Sequence, residues 1–277
     1  MNFYNWFFLS EGRKPEGLFS FAHLFTVTLV LVALVGVAIF LGLKFKNNKK
    51  AINKVLLISS IIMISLYALR VWDTFFVHFA IKQIDVSTAK GFNLLVEDIL
   101  ISFPFFLCDL AIFIIPLITF TKGKLREVFA DFLGIWGIPM GVIGTYLAGN
   151  IFPYVSVISF DGLVAIFIHI IPAAVTVFLY ITKIITFKKE NMLLNIGLFM
   201  LFMFFVMMFD NIFYPTYPSV NFMFFMHGAG TPFDLFKPLF KGKLNSYQFF
   251  VFIMYSAYML LFYECVHLIR KIANKKN

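Results

Sequence analysis

Seven stretches of the chain are predominantly apolar: Phe19 to Leu43, Val55 to Ile81, Ile99 to Thr121, Val128 to Ala148, Asp161 to Thr182, Asn191 to Tyr214 and Tyr247 to Ile269. Each offers about 20 residues, the length a helix needs to cross roughly 30 Å of hydrocarbon. The pattern predicts an all-α fold, a single integral membrane domain over residues 1–277 with seven transmembrane helices. Gly134, Gly137, Pro139, Gly141 and Gly144 interrupt the fourth stretch. Membrane helices tolerate such residues where neighbours re-satisfy the backbone, and small side chains let helices approach closely. The longest connection, Pro215 to Ser246, holds four prolines and the run His227-Gly228-Ala229-Gly230-Thr231-Pro232. Its aromatic content predicts a segment folded back onto the bundle, since loops of that length are usually functional or disordered. No internal repeat of the kind found in transporters is visible.

Composition agrees with this reading. With 61% hydrophobic and 13% charged residues, 40 Phe and a mean hydropathy of +0.91, the chain cannot be a soluble domain, which would carry roughly a quarter charged residues. The net charge of +9 does not point to nucleic acid, because its cations are sorted by side. Fifteen Lys and Arg fall in the connections around Lys44 to Lys54, Lys122 to Arg126 and Lys183 to Lys189 and in the tail after Ile269, against seven on the opposite side. The richer side is expected to be cytoplasmic, which puts the N-terminus outside, the C-terminus inside and the protein in the cell membrane as a multi-pass component. The first stretch is too long for a secretory signal and lacks a cationic leader, so it is expected to be retained.

Ionisable residues at membrane depth are costly, and each is a candidate for function. Counted at about 1.5 Å per residue from the outer end of each stretch, His23, Asp73, Cys108, Asp109, His169 and Asp210 lie about 6 to 15 Å deep and Arg70 about 16 Å. That shared depth predicts an outward-facing polar cavity. Arg70 and Asp73, three residues apart, can pair on one helical face, as a structural ion pair or as a clamp for substrate. His169 reads equally as a satisfied core histidine or a base, and Cys108 as a small buried hydrophobe or a nucleophile. His78 sits near the outer boundary. Two Cys support neither a disulfide framework nor a zinc site, and Cys265 lies too far from Cys108 to pair with it. Five His without a His-x-x-His or His-Glu-x-x-His pattern support no metal, and no Gly-rich loop suggests a phosphate-bearing cofactor.

Several stretches in order carry a family resemblance: Ser20-Phe21-Ala22-His23, Phe103-Pro104-Phe105-Phe106-Leu107-Cys108, Phe129-Ala130-Asp131-Phe132-Leu133-Gly134-Ile135-Trp136-Gly137, His169, Asn221-Phe222-Met223-Phe224 and Thr231-Pro232-Phe233-Asp234. Together they resemble the YwaF-type bacterial integral membrane proteins, which are similar to eukaryotic transmembrane acyltransferases that remodel ether phospholipids through a Cys nucleophile and a His. Pro104 and Cys108 match the third-span motif, whereas Phe106 replaces its polar residue. The eukaryotic nucleophile position, directly after the Pro, is Phe105 here, so Cys108 is a shifted candidate.

The resemblance implies a lipid acyltransferase or acyl hydrolase acting on membrane lipids or another acyl substrate, without cofactor. Cys108 would be the nucleophile, His169 or His23 the base and Asp109 its orienting partner. Arg70, Asp73, Asp210 and Asn221 form the candidate substrate-binding set. A membrane carrier or solute-binding component and a non-catalytic structural protein are the rival readings. For the topology, reporter fusions at Lys49 and Lys241 are expected to light up on opposite sides of the membrane; signals on the same side would overturn the orientation.

Overall fold

The structure, a computed structural model, describes residues 7, 14–75, 84–149, 151–229, 231–240 and 242–276. His78 and the end of the second apolar stretch, 76–81, lie outside the described residues. Among the described residues the fold is all-helical, with no strand. Six helices are long and apolar enough to span a membrane. They are α1 (Phe21–Phe45), α2 (Lys49–Phe75), α5 (Gly123–Tyr146), α6 (Phe160–Ile181), α7 (Lys189–Phe213) and α8 (Leu244–Lys276). Between α2 and α5 lie two shorter helices, α3 (Ala89–Ile101) and α4 (Ala111–Phe120). Local signals set several starts: Ser20, Thr88 and Ser159 cap α1, α3 and α6 by accepting backbone N–H groups two or three residues into each helix.

The core is the α5–α6 pair. Their apolar stretches are 67% buried, against at most 22% for the other four spanning helices, so α5 and α6 form the centre and the rest present large apolar faces outward. The glycines that interrupted the fourth stretch are what bring the two together. A methyl group on Gly137 would lie 1.9 Å from Thr176 Oγ1, one on Gly141 2.6 Å from Ala173 Cβ, and one on Gly144 2.0 Å from the His169 ring. Across this seam Thr176 Oγ1 reaches both the Leu133 and Pro172 carbonyls, at 3.0 and 2.8 Å. Pro139 has no N–H for the Ile135 carbonyl one turn earlier, and the Tyr258 hydroxyl of α8 donates to that oxygen at 3.3 Å.

One stretch departs from the expected pattern. The third, Ile99 to Thr121, is not a continuous helix: α3 ends at Ile101, and residues 102–110 form irregular turns before α4 begins. The cause is Pro104, which lacks a donor and disfavours helical backbone at Phe103. Ser102 closes α3, its hydroxyl donating to the Asp98 carbonyl at 2.6 Å, and the Ser102 carbonyl accepts from the Tyr67 hydroxyl of α2. α4 then runs antiparallel to α2. Along α2 the partners are Arg126 to Asn53, Thr119 to Ser60, Ser102 to Tyr67 and Asp109 to Arg70.

The loop between α7 and α8 folds back as expected, burying Val220, Asn221, Phe222, Met223, Phe225 and Met226. At the opposite end of the bundle, fully buried Asp131 of α5 organises the turn between α6 and α7. It accepts from the N–H groups of Thr186 and Phe187 at 2.7 and 2.8 Å and from Asn191 Nδ2 at 3.0 Å. The same turn holds Lys183 and Phe187 at positive φ, 59° and 44°, a region that side chains with a Cβ rarely occupy. The carboxylate therefore offsets local backbone strain as well as orphan donors. Asp131→Ala is expected to destabilise the protein by about 3 kcal/mol, because buried donors lose their acceptor, whereas Thr186→Ala costs under about 1 kcal/mol. Thermal unfolding in detergent measures both; equal effects would remove Asp131 from this role.

Candidate functional site

The break in the third stretch is where the polar residues gather. Cys108 and Asp109 lie on its irregular turn, and Asp109 is buried. Asp109 Oδ1 lies 3.8 Å from an Arg70 guanidinium nitrogen and 3.8 Å from Cys108 Sγ. The expected Arg70–Asp73 pair is thus replaced. Arg70 pairs with the turn packed against α2, while Asp73 lies within electrostatic reach of Asp161 in the first turn of α6. Asp73 is only 3% exposed, and its Oδ1 has no hydrogen-bond partner among the described residues. Asp161 is the residue that sequence reasoning missed; it read as the polar boundary of a span.

Two turns further along α6, His169 donates from Nδ1 to the Ala165 carbonyl at 2.6 Å, since a carbonyl oxygen can only accept. In the neutral ring this leaves Nε2 as an acceptor. The ring sits in the notch left by Gly144 and within electrostatic reach of Arg70. The turn therefore brings Cys108 and Asp109 to Arg70 of α2, with Asp161 and His169 of α6 within electrostatic reach of the same guanidinium. The Arg70 side chain is 48% exposed, and Cys108 and His169 are half-buried.

The remaining candidates stand elsewhere. His23 is fully buried, with both ring nitrogens occupied: Nδ1 accepts from the Phe19 N–H at 3.2 Å and Nε2 donates to the Thr145 carbonyl at 2.9 Å. It ties the start of α1 to the end of α5. Asn221 donates from Nδ2 to the His227 carbonyl at 2.9 Å and accepts the Met226 and His227 N–H groups at 2.9 and 3.3 Å, so it closes the α7–α8 loop on itself. Asp210, fully buried on α7, accepts the Phe222 N–H at 3.2 Å and fastens that loop to the bundle, leaving Oδ2 without a partner among the described residues. Within the loop, burial and then the Lys237 charge hold the His227 imidazole below its usual pKa, with Asp234 opposing. Cys108 and Cys265 are both free thiols.

Phenylalanines fill the space behind the turn. The Phe105 ring meets those of Phe202, Phe205, Phe209 and Phe222 at centroid distances of 5.1 to 6.3 Å, and Phe106 meets Phe222 at 5.1 Å. Phe202 and Phe205 also line a shallow apolar groove on α7 with Leu198, Leu201 and Met208. Among the described residues no group of three or more His, Cys, Asp or Glu could hold a metal ion.

The architecture defines a multi-pass helical membrane protein with a cluster of polar side chains at an unwound stretch of backbone. The model of the TMEM164 family matches residues 18–265, nearly the whole chain, and the protein belongs to that family. No curated protein and no solved structure matches the chain.

The Gly144 notch makes His169 placement testable. Gly144→Val is expected to cost about 1–3 kcal/mol through overpacking. In Gly144→Val/His169→Ala, where the ring that clashes is gone, most of that cost should vanish in a double-mutant cycle read by thermal unfolding. Simple additivity would show that the ring does not occupy the notch.

Proposed function

We propose that this TMEM164-family protein acts on an acyl lipid in an outward-facing crevice, by acyl transfer through Cys108. Seven crossings with the N-terminus outside fit the antiparallel course of α4 along α2, which makes the broken third stretch a crossing of its own. The excess of Lys and Arg at the Lys44–Lys54, Lys122–Arg126 and Lys183–Lys189 connections supports that orientation in a cell membrane. Irregular backbone at membrane depth is tolerated where it is buried in protein or lines a cavity, and broken helices commonly mark substrate sites.

The observation that carries the reading is a free thiol beside the Arg70–Asp109 ion pair at that break, with His169 within electrostatic reach of the same Arg. In the proposed step His169 Nε2 takes the Cys108 proton and Sγ attacks the acyl carbonyl. The ester C–O bond breaks, and the leaving alcohol takes the proton from His169. A hydroxyl of a second lipid, or water, then cleaves the thioester along the reverse proton path. Arg70 offsets the Asp109 charge beside Sγ and offers its exposed face to an anionic head group. The groove on α7, continuous with the Phe105 cluster, accommodates an acyl chain. His23, Asn221 and Asp210 hold the walls of the crevice rather than touching the substrate.

Incubation of the purified protein with a lipid carrying a radiolabelled acyl chain is expected to trap a hydroxylamine-sensitive thioester. Cys108→Ala should abolish it, and His169→Ala should lower its rate of formation by about 10²–10⁴-fold. A label that persists in Cys108→Ala overturns the nucleophile assignment. Solute uptake into vesicles that survives Cys108→Ala but is lost in His169→Ala and Asp73→Asn would favour a carrier instead.

A further inference from the structure

The seam between α2 and α4 joins a cluster of cations to an apolar groove. Lys49, Lys50 and Lys54 open α2, while Lys122, Lys124 and Arg126 lead into α5. One contact holds the two groups together: Arg126 donates from Nη2 to Asn53 Oδ1 at 2.7 Å. The five lysines are exposed, and Arg126 Nε is buried without a hydrogen-bond partner among the described residues, so the guanidinium keeps an unused donor. Residues 44–54 and 121–126 contain no Asp or Glu. The next residue, Glu127, accepts from Lys188 Nζ at 2.8 Å and is committed there. The cluster therefore carries cations without a carboxylate of its own. Sorting by side explains how many Lys and Arg lie at this end of the bundle, but not their gathering over a groove. Deeper along the same seam, past the Ser60–Thr119 contact at 3.4 Å, Ile64 of α2 and Ile112, Phe113, Pro116 and Leu117 of α4 line that groove. Ile64, Phe113 and Leu117 are exposed, so it opens sideways from the bundle. Lys50, Leu57 and Ile64, spaced by seven residues, fall within about 40° of one another around α2. Cations and groove thus share one face.

We infer that this seam binds an anionic phospholipid from the leaflet at the cation-rich end, with its phosphate at Arg126 and the surrounding lysines and an acyl chain in the groove at Ile64 and Leu117. The dimensions agree. From Asn53 to Ile64 α2 advances about 16 Å, and one leaflet of a hydrocarbon core roughly 30 Å thick is about 15 Å deep. Basic pockets between membrane helices hold lipid head groups through charge-assisted hydrogen bonds, and a guanidinium with a free donor suits a phosphate. A zwitterionic lipid brings its own cation beside the phosphate, which the lysines repel; an anionic head group does not. A free phosphate would satisfy the cations but leave the groove uncovered. Arg70 lies about 25 Å further along α2, so the lipid site stands or falls independently of acyl transfer at Cys108.

The experiment uses the full-length protein in a neutral detergent and native mass spectrometry, which counts the lipids each protein retains. The probes are dioleoyl phosphatidylglycerol, dioleoyl phosphatidylcholine and soluble glycerol 3-phosphate. The wild type is expected to hold phosphatidylglycerol about tenfold more tightly than phosphatidylcholine, and glycerol 3-phosphate at equal concentration should not displace it. Arg126→Gln and, independently, the exposed pair Lys50→Gln/Lys122→Gln should each lower that affinity by about tenfold. Leu117→Trp, which fills the groove, should weaken it to a similar extent. Lys189→Gln/Lys271→Gln removes two charges from α7 and α8 at the same end of the bundle and should change it by less than about twofold. Equal retention of the two lipids by the wild type overturns the proposal. Displacement by glycerol 3-phosphate assigns the cations to a free phosphate and overturns the lipid. A loss in the α7–α8 pair as large as that at the seam reduces the effect to diffuse charge and overturns the site, and unchanged binding in Leu117→Trp overturns the groove. The comparison of the three probes on the wild type requires no variant to fold.

Discussion

The close approach of α5 and α6 is the contact on which the rest of this structure depends. Inside a bilayer no water satisfies backbone or side-chain polar groups, so helices that carry them must bring partners within hydrogen-bond reach. Gly137, Gly141 and Gly144 remove the side chains that would hold the two helices apart. The resulting seam lets Thr176 reach the Leu133 carbonyl and seats the His169 ring on α5. α1 is then tied to the end of α5 through His23.

The second constraint is Pro104. A proline in the middle of an apolar stretch frees backbone groups, and the protein answers with one donor, the Tyr67 hydroxyl, and with a dense set of aromatic rings around Phe105. The turn that results carries Cys108 and Asp109 away from a regular helix face and toward Arg70. Hydrophobic packing thus holds irregular backbone in place, and the irregular backbone presents the chemistry.

Much of this was legible along the chain. Runs of about 20 apolar residues specify spans. The shared depth of Arg70, Cys108 and Asp109 marked the layer in which these three meet, and the aromatic content of Pro215 to Ser246 marked a loop that folds inward. Partner choice was not legible. Arg70 and Asp73 sit three residues apart and look paired, yet each turns to a different neighbouring segment. His23 and Asn221 look available in sequence, but their polar atoms are taken by backbone carbonyls and N–H groups. Asp131 and Asp161 were overlooked because one lay within an apolar motif and the other at a span boundary. Only the turn at Thr186 and the carboxyl of Asp73 reveal what they hold.

The division has a plain physical origin. Hydropathy, the sorting of Lys and Arg, and the positions of Pro and Gly are local quantities, and they suffice to put the chain in a membrane, number its apolar stretches and mark where a helix can break or pack closely. The rotation of each helix about its axis, and hence which polar atoms meet, depends on contacts between segments far apart in the chain. Those contacts gave Arg70 to Asp109 and seated the His169 ring in the notch at Gly144.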